Sequence, residues 1–458
     1  VTSFLLSLIL VVGLGLPALA DCGSFPPSGR FLAYSISPII SGDALSLEVM
    51  VSFRLPGAKG TTLILPSEWH GQKDLYKAIQ GLEALSARTV LQEGESPWSR
   101  KVTFPLGQVV RLRYRVKKDW NGEINASSYF RVMLDHTYFQ VSGRNFLAYP
   151  DLPDDESLPL SLEWKDLPPN WTAIDSLAGI GPCQSLTTRI IKLSNGLFAG
   201  GELRTTKLAV DGEPVYFATR GSWEFSEAEF AEIARKILAT EREFWSDTNI
   251  PNYLITLLPS DDTPDNYVGI ALEDSFALFM SNRRALDFDT KFLLAHEMFH
   301  SWNAAKLGEI HEETPYWFTE GFTDYYARVL LLRAGLITDE EYERNVTSLY
   351  QEYRLSGVLH VTGKQARERV LVDYDVQRLA YLRGDFLALR WDQLIRKKSG
   401  GKQSLDKAML DLFLEAKRKE LVLTDDSLAK HFGSYLGTDG AQDVQKYIED
   451  GETIPRYK

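Results

Sequence analysis

Ala295-His296-Glu297-Met298-Phe299-His300-Ser301-Trp302 and, further on, Trp317-Phe318-Thr319-Glu320-Gly321-Phe322-Thr323-Asp324-Tyr325-Tyr326 are the two stretches on which the reading of this 458-residue chain turns. On a helix, residues four apart share one face, so the imidazoles of His296 and His300 can converge on one metal ion while Glu297 reaches a water beside it. The local sequence supports that helix. Asp287 or Asp289 can cap its start, and Phe292, Leu293, Phe299 and Trp302 supply apolar surface for packing.

Two histidines need a third partner. A longer histidine motif would require glycine and histidine three and six residues after His300, where the chain has Asn303 and Lys306. The alternative is a carboxylate on a following helix, and Thr314-Pro315 is a good helix start ahead of Glu320. The connecting segment leaves room for the second helix to fold back beside the first. Glu309, His311, Glu312 and Glu313 in that connection are the other candidates. One helical turn after Glu320, Asp324 is placed to accept the second ring N–H of a metal-bound histidine. Three protein ligands leave one zinc position open, which is the arrangement of hydrolytic sites and not of closed structural ones. Glu297 is then the base for an attacking water, and amide hydrolysis is the chemistry such a site performs.

Outward from these stretches, the chain divides by pattern. Phe31 to Leu203 reads as short strands, among them Leu45 to Leu55, Val102 to Val116 and Tyr129 to Val141. Strand-like Val215 to Thr219 and Tyr253 to Leu258 flank a helix from Glu227 to Ser246, with Ser226 and Glu229 as a capping box. Helical periodicity dominates after Thr290. The expected class is α+β and multidomain: a signal peptide over 1–20, a β-rich domain over 21–205, a mixed catalytic domain over 206–330 and a helical part over 331–458. Phe4 to Leu16 is apolar but too short to span a bilayer, and Ala18 and Ala20 suit signal-peptidase cleavage before Asp21. Export to the periplasm or beyond the cell is expected, with no stable membrane anchor after cleavage. There Cys22 and Cys183 could pair. A net charge of −12 with no basic run argues against nucleic acid as a partner.

The stretches HEMFHSWN and WFTEGFTDYYA resemble the glycyl aminopeptidase family, thermolysin-like zinc peptidases of the gluzincin type. The resemblance implies a β-rich N-terminal domain, a thermolysin-like catalytic domain, a helical subdomain, one zinc ion and peptide substrates, with a preference for N-terminal Gly or Ala. Ala380-Tyr381-Leu382-Arg383-Gly384-Asp385 is similar to the family's Y-x-[KR]-G segment, which makes Tyr381 the donor to the developing oxyanion. Gly269-Ile270-Ala271-Leu272-Glu273-Asp274 resembles its edge-strand motif, in which the glutamate binds the free amine of the substrate; that role falls to Glu273. Ala271 replaces a usual Gly there and Asp274 a usual His. The segment from Leu423 to Pro455 is similar to the end of the helical subdomain, after which many members continue into a PDZ domain, whereas this sequence stops at Lys458. The alternatives are an endopeptidase with the same site and a non-catalytic exported binding protein that kept the fold.

Overall fold

A computed structural model describes residues 29–121, 128–248, 250–260, 267–272, 274–303, 305–307, 314–418 and 421–456. The expected leader over 1–20, Cys22 and Glu273 lie outside these residues. Cys183 is disulfide-bonded.

The first half builds three sheets. A six-stranded sheet runs in the order Cys183–Arg189, Ser157–Trp164, Phe31–Ser41, Ala44–Arg54, Val110–Val116, Ile79–Ala84. Its central hairpin pairs Phe31 with Arg54 and Ser41 with Ala44. Alternation is clean where one face is wet: in Val110–Val116 the buried residues are Val110, Leu112, Tyr114 and Val116. The run from Val102 to Val116 is two strands in two sheets, because Pro105 and Gly107 (φ 74°) turn the chain between them. Tyr129 to Val141 likewise divides, into a short 3₁₀ turn and the strands Met133–Asp135 and Tyr138–Ser142.

The second half is organised around a five-stranded sheet in the order Arg204–Val210, Glu213–Thr219, Tyr253–Pro259, Ser275–Met280, Tyr267–Leu272. The three inner strands are parallel and both outer ones antiparallel, so Tyr267–Leu272 forms an open edge. Both faces of this sheet are covered, which is why its inner strands read as continuous apolar runs. Along Ser275–Met280, Phe276, Leu278 and Met280 join the core shared with the helices, while Ala277 and Phe279 pack with Trp69, Tyr129 and Tyr138 from the N-terminal sheets.

Helix Glu227–Trp245 lies on the helical face, capped by Ser226, whose side chain accepts from the Glu229 N–H at 3.4 Å; Ser246 ends it in a left-handed conformation. The reciprocal half of the expected capping box is not formed. Asp287, not Asp289, caps the motif helix Phe288–Phe299 by accepting from the Thr290 N–H. No described helix is long and apolar enough to cross a membrane.

Asp175, at the end of strand Thr172–Asp175, is fully buried and accepts from the N–H groups of Leu177 and Ala178 at 3.0 and 2.9 Å. Burial pushes its carboxyl up to about 7, against the pull of these donors. The folded state therefore holds a proton that the unfolded chain releases near 3.8, and stability falls as pH rises through that window. Asp175→Asn is expected to be more stable than the parent above about pH 7, by on the order of a few kcal/mol, and to lose that advantage below about pH 4. Denaturant melts at several pH values read this directly; a difference that does not vary with pH contradicts it.

Candidate active site

The motif helix sets Glu297 against the edge strand Tyr267–Leu272 of the mixed sheet and carries His296 and His300 on either side of it in sequence. The chain then returns through Pro315, whose carbonyl accepts from the Phe318 and Thr319 N–H groups, into a π-helical turn, Trp317–Phe322, that continues as helix Thr323–Arg333. This wider turn departs from the simple helix that the sequence of the stretch predicts. Asn303 ties the two segments together. Its Nδ2 group donates to the Thr323 hydroxyl at 2.9 Å and to the carbonyls of Thr319 and Phe318 at 3.3 and 3.4 Å.

Nε2 of His296, Nε2 of His300 and Oε2 of Glu320 form a compact triangle with edges of 3.0, 3.3 and 3.4 Å. His296 Nδ1 is 2.8 Å from Asp324 Oδ1, and His300 Nδ1 is 3.4 Å from the Asn303 carbonyl. With both Nδ1–H groups donating outward, the two Nε2 lone pairs and a carboxylate face one another, an arrangement that only a shared cation or proton makes favourable. A tetrahedral zinc with bonds of about 2.0–2.2 Å needs ligand atoms about 3.3–3.6 Å apart; the donor set and both edges to Glu320 fit that ion, and the 3.0 Å edge between the histidines must widen slightly to admit it. Among the described residues this is the one cluster of metal-ligating side chains.

The electrostatics agree. Burial by itself lowers the His296 pKa, yet its hydrogen bonds to Asp324 and Glu320 raise it well above the usual value. Glu320 is pulled far below the carboxylate range despite its burial, by the charges and hydrogen bonds of the two histidines. Glu297 moves the other way, raised by burial and only partly offset by His296 and His300, as suits a base.

Glu297 lies directly beneath the open edge strand. A Cβ on Gly269 would come within 2.7–2.9 Å of its Cγ, Cδ and Oε1 atoms, so only glycine lets the strand pass so close. Tyr381, on the long helix Tyr374–Ser399, lies close enough to Glu320 for that carboxylate to act on its hydroxyl, and its ring is nearly parallel to that of His296 at 5.9 Å. Burial and the Glu320 charge hold its hydroxyl protonated. One turn on, Gly384 meets Gly321: a Cβ on Gly384 would fall 1.7 Å from the Trp317 carbonyl oxygen. Arg328 and Asp385, both buried, pair beside this crossing. Asp324 is in turn faced by Arg378 at 3.8 Å, which Glu352 holds through two bonds of 2.7 and 2.9 Å.

The model of the M61 glycyl aminopeptidase family matches residues 290–374. That segment contains the triangle, Glu297 and Asp324. Among solved structures, an aminopeptidase N family protein from Idiomarina loihiensis superposes with a TM-score of 0.77 at 19% identity, covering 93% of this chain and 77% of that one. An M1 zinc metallopeptidase from Deinococcus radiodurans gives 0.55 at 16%, covering 93% and 94%. A variant of that enzyme bound to a Tyr-Ser-Ala substrate gives 0.54 at 16%, covering 93% and 95%. At these identities the likeness is one of fold. The curated proteins give no match.

Sequence reasoning named the residues of the triangle but not the contacts that place them. Gly269 and Gly321 carry no signal by themselves. Gly384 is the glycine of the Y-x-[KR]-G segment quoted for Tyr381, and the packing it serves is visible only in the structure. Glu273 falls outside the described residues; the residue after it, Asp274, is buried with a left-handed backbone and pairs with Lys192 at 2.6 Å.

If Asp324 fixes the His296 ring, Asp324→Ala is expected to weaken zinc binding about 10–100-fold, measured by competition with a chromogenic chelator. A helix charge without that role would leave the affinity unchanged.

Proposed function

We propose that this protein is an exported aminopeptidase that uses one zinc ion to remove N-terminal residues, Gly or Ala foremost, from peptides. The observation that carries this reading is the His296, His300 and Glu320 triangle lying beside Glu297 under an open strand edge. Zinc held by these three side chains would polarise the scissile carbonyl and acidify water. Glu297 takes the proton of the attacking water and passes it to the departing amine. The Tyr381 hydroxyl donates to the carbonyl oxygen as its charge grows. The peptide lies along Tyr267–Leu272, pairing with backbone groups that no other strand among the described residues occupies. Glu273, immediately after that strand, receives the substrate ammonium, and a peptide without a free amine leaves its charge unpaired.

Support for peptides as substrates comes from the family matched by residues 290–374 and from the tripeptide held by the Deinococcus radiodurans variant. Export is supported by the apolar Phe4 to Leu16 stretch and by the disulfide at Cys183, a bond that persists in oxidising compartments.

The deciding experiment compares the parent with Glu297→Gln on peptides with free and acetylated N-termini, alongside zinc analysis. The expected result is one zinc in both proteins, cleavage of free-amine peptides only, and turnover lower in the variant by about 10²–10⁴-fold. Chelation is expected to abolish activity and zinc to restore it. Equal activity in the two proteins sinks the assignment of the base, and cleavage of acetylated peptides makes the enzyme an endopeptidase.

A further inference from the structure

A tight turn from the N-terminal half reaches this cleft. The Trp69 N–H donates to the Gln72 carbonyl at 3.0 Å and the Gln72 N–H to the Trp69 carbonyl at 2.9 Å. The two central residues, His70 (φ 46°) and Gly71 (φ 73°), both have left-handed backbone, the mark of a type I′ turn. Glycine takes such a position freely, whereas histidine gives up on the order of ~1 kcal/mol. The strain invites a functional reason for the imidazole.

The turn is firmly seated. Trp69 is buried in the cluster that contains Ile270 and Leu272 of the edge strand. Phe130 meets Trp69 edge-on, with centroids 5.2 Å apart, and stacks on His70 at 4.5 Å with an interplanar angle of 23°. Phe130 thus backs one face of the imidazole, while His70 as a residue remains exposed. Glu320 and His300 are near enough for their charges to act on the ring, as is Arg144. The edge strand explains the geometry. Gly269 faces Glu297 and the motif helix, whereas Ile270 and Leu272 face the N-terminal sheets and Trp69. A peptide added to this edge alternates in the same way, and the side chains it sends toward the N-terminal side arrive where the turn stands.

We propose that His70 is a specificity-determining residue of the cleft, in contact with the peptide side chain that projects away from the motif helix. This rests on the peptidase reading above. The flat ring, held in place by Phe130, fills space that a large side chain would need and favours small, uncharged ones.

The test uses full-length zinc-loaded protein with His70→Gly and His70→Asn, two substitutions that suit the left-handed turn. Substrates are peptides with Gly, Ala, Leu, Phe or Lys in each of the first two positions. The expected result is unchanged zinc content and a melting temperature no lower than the parent's, with kcat/KM for the Leu or Phe peptides rising relative to Ala by about tenfold in His70→Gly and by less in His70→Asn. Selectivity ratios that stay within about twofold in both variants overturn the proposal, since one methylene in such a pocket is already worth more. A second readout needs no turnover: in Glu297→Gln the ring ¹⁵N resonances of His70 are expected to shift when Ala-Ala-Ala binds. Binding without that shift overturns the role of His70 and leaves the peptidase reading standing. A parent protein that neither binds nor cleaves any peptide of the panel overturns both.

Discussion

Two helices touch through bare backbone where Gly321 meets Gly384, and the rest of the site is arranged around that contact. Glu320 precedes the first glycine, and Tyr381 lies one turn before the second. Any side chain at either glycine would push the helices apart and with them the carboxylate and the phenol. The buried Arg328–Asp385 pair sits against the same crossing, and a charge pair with no exposed surface tolerates little movement, because a displaced partner leaves the other unpaired in a low-dielectric interior. Packing density and electrostatics thus fix the same helix separation.

A second close approach adds to the first. Gly269 presses the edge strand onto Glu297, so the base cannot swing toward solvent on that side. The two glycine contacts together define the cleft. One sets the distance from the Glu320 carboxylate to the Tyr381 phenol, and the other sets the distance from Glu297 to the edge strand. Asn303 links them, since its amide joins the end of the motif helix to the π-helical turn that carries Glu320.

The sequence made some of this legible and concealed the rest for physical reasons. Residues four apart on a helix must share a face, so the His296 and His300 convergence follows from spacing alone. The α+β layout was readable because the strands of the first half alternate and the later helices carry strong periodicity. Strand limits were not: Val102 to Val116 keeps its β-like composition across the Pro105–Gly107 turn, and composition does not say to which sheet each part belongs. The π-helical turn also left no trace, since the stretch around Glu320 has the apolar spacing of an ordinary helix. Glycines were the least legible of all. Their role at 269, 321 and 384 lies in what is absent from the side chain, and that acquires meaning only when the opposing surface is known.

The same asymmetry explains how the N-terminal half enters the site. Its sheets have their own core, yet Trp69, Tyr129 and Tyr138 pack onto one face of the mixed sheet while the helices cover the other. The strand that borders Glu297 is therefore held from both sides, and neither half can shift without moving it. A hydrolytic centre requires reacting groups placed to within a fraction of an ångström. In this fold the β-rich half meets that requirement by bracing the edge strand, and the turn at His70 lies at the rim of the surface through which it does so.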